Sequence, residues 1–215
     1  MYILVGIPCF DSIKTETMVS LFAASAAIES PAKLHVQKNC YVHVARNKIC
    51  EEAIKTGASH VMFIDGDMQF PAHAIEKLVK EGKDVIGGLY FRRQPPHLPT
   101  INELEEGKVV IPRKFPTDKP FKVWAVATGF MLISTKVLKK LEPPYFYFGK
   151  QKGQEIGEDV YFCRKVNDKG FEVWCDPTIP LGHVGEYAFG YQDYKAYDDI
   201  RPKEKADGTY NGQMD

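Results

Sequence analysis

The sequence carries no surplus of charge of either sign. Lysine and arginine together number 28, aspartate and glutamate also 28, across 215 residues. A dedicated nucleic-acid binder shows a basic excess, so no nucleic-acid partner is expected. The five cysteines (Cys9, Cys40, Cys50, Cys163 and Cys175) are odd in number and include no CxxC pair. That excludes the usual zinc spacing and argues against a disulfide framework, leaving the reduced thiols of a cytosolic protein. Long apolar runs are also missing. Tyr2 to Ile7 leads straight into a strand-like stretch, so neither a signal peptide nor an integral membrane segment is expected. There is no Walker A loop, GxGxxG turn, GxSxG elbow or HExxH pair, and kinase, dehydrogenase, serine hydrolase and zinc protease readings lose their support.

What the chain does have is 44% apolar residues, enough for one substantial core. Short apolar runs alternate with amphipathic segments. Tyr2–Ile7, Lys33–Val36, Val61–Ile64 and Asp84–Gly88 read as strands. Thr15–Ile28, Val42–Gly57 and Pro71–Gly82 read as helices, the first with Met18, Leu21, Phe22 and Ile28 facing inward. This alternation predicts an α/β fold built from βαβ units with right-handed crossovers. Further on, Ala125–Ile133 reads as one buried strand carrying a glycine, and Ser134–Leu141 as a helix. Pro143–Gly157 reads as an aromatic, glycine-bearing loop, followed by a helix over Glu158–Asn167 and a strand over Phe171–Cys175. From residue 186 the chain turns polar and tyrosine-rich, and its last ten residues are expected to be poorly ordered.

One stretch organises the chemistry. Val61–Ile64 is followed by Asp65-Gly66-Asp67, two carboxylates one residue apart at the end of a buried strand. Open α/β sheets receive their ligands at such strand ends. Carboxylate oxygens suit Mg2+ or Mn2+, which commonly share them with substrate phosphates. The simpler reading is a strand-to-helix turn, since Asp-Gly-Asp is also good turn chemistry. Pro8-Cys9-Phe10-Asp11 ends the first strand, where a nucleotide is often received. Arg46-Asn47 opens a helix and is placed to contact phosphate, and Arg92-Arg93 is placed either to clamp a diphosphate or to solubilise a loop. Glu158-Asp159 opens another helix, whose dipole favours the ionised form that a general base needs. First-turn acids also serve helices without any catalytic duty. His183 is a third metal ligand only if the fold sets it beside Asp67.

Taken in order, Ile7–Phe10, Ala45-Arg46-Asn47, Phe63–Asp67, Thr128–Met131, Gly157–Asp159 and His183 resemble nucleotide-sugar glycosyltransferases of the GT-A fold. The likeness is greatest to the family 2-like group of bacteria, phages and large DNA viruses, over about residues 2 to 190. The resemblance implies a Rossmann-like, mostly parallel sheet flanked by helices. It implies a single domain over 1–190, with a nucleotide-binding half over 1–100, an acceptor half over 101–190 and a tail over 191–215.

It also implies roles for particular residues. Asp65, Asp67 and His183 would hold a divalent Mn2+ or Mg2+, Asp65 alternatively contacting the ribose. Pro8, Cys9, Phe10, Asp11, Arg46, Gly66, Thr128 and Gly129 would contact the donor. Asp159, or its neighbour Glu158, would be the base of an inverting transfer. The implied donor is a UDP-sugar and the implied acceptor a glycan or glycoprotein hydroxyl, in the cytoplasm (the host's, for a viral or phage chain). The chain departs from the family pattern after its second strand, where residues 33–38 contain no acid to read the base. A nucleotidyltransferase of the same broad fold and a non-catalytic sugar-nucleotide-binding module are the alternatives. The glycine-rich, basic loop of a nucleotidyltransferase is absent from Pro8–Lys14.

Overall fold

The computed structural model describes residues 1–151, 154–185 and 187–200. In chain order the first half contains β1 (Ile3–Cys9), α1 (Thr15–Ala27), β2 (Ala32–Lys38), α2 (Val42–Lys55) and β3 (His60–Ile64). It continues with β4 (Met68–Gln69), α3 (Ala74–Lys80) and β5 (Val85–Gly88). Then come β6 (Ile101–Glu105), β7 (Lys108–Val110), β8 (Phe121–Val123), β9 (Ala125–Val126), β10 (Phe130–Ser134) and α4 (Thr135–Leu138). The chain closes with β11 (Gly149–Gln151), β12 (Gln154–Ile156), α5 (Glu158–Asp168), β13 (Val173–Asp176), β14 (Gly182–Val184), β15 (Ala188–Phe189) and α6 (Tyr191–Ile200).

Seven strands form the central sheet in the order β2-β1-β3-β10-β5-β13-β8. β1 is parallel to β2 and β3, and β13 is parallel to β5, while β10 and β8 run against their neighbours. Most of the strands therefore point one way, as the α/β reading expects. Alternate side chains feed two cores. Leu4, Val61, Phe63, Met131 and Ile133 pack under α2, α4 and α5. Ile3, Val5, Met62, Ile64 and Leu132 pack under α1 and α3. Each such fully buried side chain contributes about 1.5–3 kcal/mol by leaving water. At Gly6 the helix α2 lies so close that a Cβ would overlap the Ile49 side chain.

Several expectations are corrected. β1 runs on through Pro8 and Cys9 instead of ending at Ile7. Pro8 is tolerated there because β1 pairs with β3 only over Ile3–Gly6, so no second strand needs its missing N–H. Helix α3 starts at Ala74, because Pro71–His73 form a turn in which the Ala74 amide donates to the Pro71 carbonyl at 3.0 Å. Ala125–Ile133 is not one strand: β9 and β10 pair with different sheets, and residues 127–129 turn between them. The α4 helix is a single turn, and the 143–157 loop contains the β11–β12 hairpin.

The largest correction is the face of α1. Of the expected stripe Leu21 and Ile28 pack half-buried against the core, but the buried positions are Thr17, Ser20 and Ala24, while Met18 is exposed and Phe22 is 83% exposed. Small residues let the helix approach the sheet closely, and the Ser20 hydroxyl accepts the Phe70 amide at 3.1 Å. Of the expected tail, residues 191–200 are helix α6, whose Tyr194 ring stacks on Phe91 at 5.0 Å. The expectation about the last ten residues lies outside the described residues.

Candidate active site

Three chain segments converge at the carboxyl end of β3. The Asp65 amide donates to the Gly129 carbonyl at 2.9 Å, tying the Asp65-Gly66-Asp67 turn to the start of β10. The Lys14 amide donates to the Gly66 carbonyl at 2.7 Å, laying the loop after β1 over the same turn. The Val184 amide donates to the Asp67 carbonyl at 2.7 Å, and His183 pairs in register with Met68. These backbone bonds bring Asp65, Gly66, Asp67, Gly129 and His183 together across some 120 residues of chain.

The two aspartates then part company. Asp65 turns toward α2, where Arg46 Nη2 donates to both its oxygens at 2.9 and 3.0 Å. Arg46 Nη1 binds Glu158 Oε1 and reaches Asp159 Oδ1 at 3.1 Å. One guanidinium, 2% exposed, thus serves three carboxylates. Burial works against its charge, but Asp65, Asp159 and Glu158 outweigh that and raise its pKa above the ordinary value. Asp65 is itself pushed up by burial, against the pull of Arg46.

Asp159 is the most perturbed acid of the cluster. Burial raises its pKa to about 6, helped by the neighbouring Glu158 and Asp65 charges and opposed by Arg46 and Thr128. The Thr128 amide (3.2 Å) and hydroxyl both donate to Oδ1, the oxygen that Arg46 also holds. Among the described residues, no donor is bonded to Oδ2, and the side chain is 28% exposed. A partly exposed carboxylate with one oxygen anchored, one open and a pKa near neutrality has the properties of a general base.

Asp67 turns the other way, toward Arg93 and His183. Arg93 Nη1 lies 3.2 Å from Asp67 Oδ2 and also donates to the Val184 carbonyl at 3.3 Å. The 92–99 loop is stapled at its base by the Arg92 amide to the Leu98 carbonyl and by the Phe91–Pro99 bridge, which sets Arg93 out over the turn. Burial tends to raise the Asp67 pKa, yet His183 and Arg93 overcome it and hold the carboxyl below its ordinary value. His183 Nδ1 lies 3.0 Å from the Phe91 carbonyl, an arrangement that assigns the proton to Nδ1. Nε2 then faces Asp67 Oδ2 at 3.5 Å.

Tyr90 stands between the two groups, and sequence reasoning missed it. Its hydroxyl accepts the Gly129 amide at 3.1 Å, and its ring meets the His183 ring edge-on at 5.3 Å. Burial and the charges of Asp65 and Asp159 raise its pKa well above the ordinary tyrosine value, so it stays neutral. Its only sequence signal is its place between a strand ending in Gly87-Gly88 and the Arg92-Arg93 pair.

Of the expected site residues, Arg46, Asp65, Thr128, Gly129, Glu158 and Asp159 therefore form one cluster, and Asp67 and His183 form another with Arg93. Pro8 and Cys9 lie within the end of β1, whereas Phe10 and Asp11 stand exposed on the loop that crosses Gly66. Both Asp65 oxygens are engaged by Arg46, and no group of three or more His, Cys, Asp or Glu side chains is placed to hold a metal among the described residues. Asp67 and His183 still form a fitting donor pair. With Nδ1 taken up by the Phe91 carbonyl, His183 Nε2 and Asp67 Oδ2 face one another, and an imidazole nitrogen beside a carboxylate oxygen is a donor set that a divalent cation can use. Arg46 is occupied by carboxylates, and Asn47 secures the 145–146 backbone through bonds of 2.7 Å to the Tyr145 amide and the Phe146 carbonyl.

No protein-family profile matches the sequence, and no curated protein matches it. Solved structures match the fold. A197 from STIV aligns over 90% of this chain and 92% of that chain at 19% identity, with a TM-score of 0.64. TarS 1–349 from S. aureus aligns over 93% and 64%, at 13% identity and a TM-score of 0.51. TarS 1–349 in complex with UDP-GlcNAc aligns over 83% and 56%, at 14% identity and a TM-score of 0.50. At these identities the likeness establishes the fold, a mostly parallel GT-A-like α/β sheet flanked by helices. No helix among the described residues is long and apolar enough to cross a membrane.

Proposed function

We propose that the chain is a glycosyltransferase that moves a sugar from a nucleotide diphosphate sugar, a UDP-sugar in the first instance, to a hydroxyl of a glycan or glycoprotein. The observation that carries this is the Asp159 carboxylate. It stands at the start of α5 with Oδ1 held by Thr128 and Arg46, Oδ2 open, and its pKa raised to about 6. At neutral pH it starts ionised and remains basic enough to accept a proton from a sugar or protein hydroxyl. Attack by that hydroxyl on the anomeric carbon, with departure of the nucleoside diphosphate from the opposite face, inverts the configuration. Glu158 is tied to Arg46 and less exposed, which supports Asp159 as the base.

The leaving diphosphate is received on the Asp67 side. Asp67 and His183 would hold a divalent cation there, with the remaining positions left to water and phosphate oxygens, as Mg2+ usually requires. When bound, such a cation supplies Lewis-acid neutralisation of the leaving charge. Arg93 adds a fixed positive charge beside it, and Tyr90 holds the His183 ring in place. Phe10 and Asp11, on the loop over Gly66, are the donor contacts this reading assigns at the nucleotide end.

The test is nucleotide-sugar hydrolysis and transfer with Mn2+, comparing the native protein with Asp67→Ala. The variant is expected to keep its circular dichroism and melting profile and to lose metal-stimulated turnover. Retained metal stimulation in Asp67→Ala would sink the assignment of Asp67. Release of nucleoside diphosphate supports a glycosyltransferase, whereas pyrophosphate exchange would replace it with a nucleotidyltransferase.

A further inference from the structure

We propose that Arg46 is a positioning residue for the acceptor-side base, and that the donor diphosphate is met by Arg93 instead. This rests on the glycosyltransferase reading above and assigns its two arginines opposite duties. Both terminal nitrogens of Arg46 are spent on carboxylates: Nη2 on Asp65, Nη1 on Glu158 and Asp159. Phe146 lies under the guanidinium with its ring centroid 5.9 Å from Cζ, and Nε has no hydrogen-bond partner. The unpartnered Nε is fully buried, so no edge of this guanidinium that a phosphate could reach is left free. Three carboxylates around one cation also leave the cluster net negative, which repels a diphosphate. Arg93 has the opposite surroundings. It is 44% exposed and lies 3.2 Å from the single carboxylate of Asp67, so its remaining donors face solvent beside the cation-binding pair.

Arg46 instead joins three elements at one point. Asp65 follows β3, Glu158 and Asp159 begin α5, and Arg46 itself rises from α2. Without the guanidinium, three carboxylates would repel one another and the first turn of α5 would keep only its Thr128 bonds to Asp159. The groups that face Asp159 are Arg46 from α2, Asp65 after β3, Tyr90 after β5, and Glu158 and Cys163 on its own helix. Arg46 is the one cation among them. It therefore sets both the orientation of the Asp159 carboxylate and the ease with which it ionises.

Arg46→Lys keeps the charge but reaches fewer partners, and it separates the two duties. UDP with Mn2+ is the binding probe, and carbon-13 NMR of the side-chain carboxyls is the ligand-free probe. The expectation for Arg46→Lys is UDP affinity within about twofold of the native protein, a kcat lower by a hundredfold or more, and an Asp159 titration midpoint moved upward. Arg93→Ala is expected to weaken UDP binding tenfold or more and to leave the Asp159 midpoint where it was. A tenfold loss of UDP affinity in Arg46→Lys with kcat preserved would overturn the proposal, as would an unmoved Asp159 midpoint. If the native protein binds no UDP, the donor reading fails, and the carboxyl titration still decides the role of Arg46. If Arg46→Lys does not fold, the same measurements on Arg46→Lys with Glu158→Gln, which relieves one repelling charge, decide it.

Discussion

Gly129 offers a sharp measure of how tightly the site is built. A Cβ placed there would overlap the Tyr90 hydroxyl, come within 2.9 Å of Tyr90 Cζ and stand 3.1 Å from Asp65 Oδ2. Tyr90 is buried, so its ring has no free space into which it can retreat. Gly129→Ala therefore forces an overpacking cost of about 1–3 kcal/mol. The shift also breaks the bond from the Gly129 amide to the Tyr90 hydroxyl, leaving buried polar groups unpaired at a further cost of about 1–3 kcal/mol. One displacement answers for both effects, so a total of about 2–4 kcal/mol is expected. Urea denaturation of the single variant and of Gly129→Ala with Tyr90→Phe reads this directly. Removing the hydroxyl opens room for most of the added methyl, so the double variant should be more stable than the sum of the singles by about 1 kcal/mol or more. A cost under about 0.5 kcal/mol for Gly129→Ala, or strict additivity with Tyr90→Phe, would refute the packing argument.

Two further outcomes follow from burial. The folded pKa of Asp159, about 6, lies above its unfolded value of about 3.9. Its contribution to stability is therefore complete below about pH 4 and lost as pH rises through about 6, by at most about 3 kcal/mol at 1.4 kcal/mol per unit. Asp159→Asn keeps an oxygen for the Thr128 and Arg46 donors and should match or exceed native stability at pH 8, and under the proposed function it should lose transfer. A variant less stable than the native protein at pH 8 would contradict this. Among the thiols, burial raises Cys50 and Cys175 above the ordinary range and Cys163 to about 12, and Cys9 is also buried. A thiol reagent at pH 8 should label Cys40 alone quickly and all five only in denaturant; three or more fast thiols would be inconsistent with the packing.

The α/β alternation was legible because its signals are local. Buried apolar runs gave the parallel strands β1, β3 and β5, and the Gly157-Glu158-Asp159 start of α5 is a helix-terminus signature. The face of α1 was not legible, because a helical stripe shows periodicity but not which side meets the sheet. Here Thr17, Ser20 and Ala24 win through close approach and the Ser20–Phe70 bond, against the greater apolarity of Met18 and Phe22. Direction is equally hidden in a buried run: nothing in Phe130–Ser134 distinguishes an antiparallel strand from a parallel one. At the site, the residue types that gather were visible, but their pairing was not. The division of Asp65 to Arg46 and of Asp67 to Arg93 and His183 depends on contacts between segments 19 to 116 positions apart. Tyr90 gave no polar pattern at all and emerges only when Gly129 is seen to lie against it.

The position of β10 has a consequence for how the chain is assembled. β3 and β5 do not pair with one another; β10 is inserted between them and bonds to both. Residues 1–88 therefore emerge from synthesis as a β2-β1-β3 sheet with an open β3 edge and an unpaired β5, both awaiting strands that have not yet been made. Until residue 134 is available, those edges are open to any extended segment nearby. The keystone is also antiparallel, so it must arrive with its register set by Phe130 against Ile64 on one side and Met131 against Gly87 on the other. The same Gly129-Phe130 junction that hands its carbonyl to Asp65 joins β3 to β5, so bridging the two strands and anchoring the Asp65 turn are one event in the life of the nascent chain, with β13, Asp159 and His183 added by later segments.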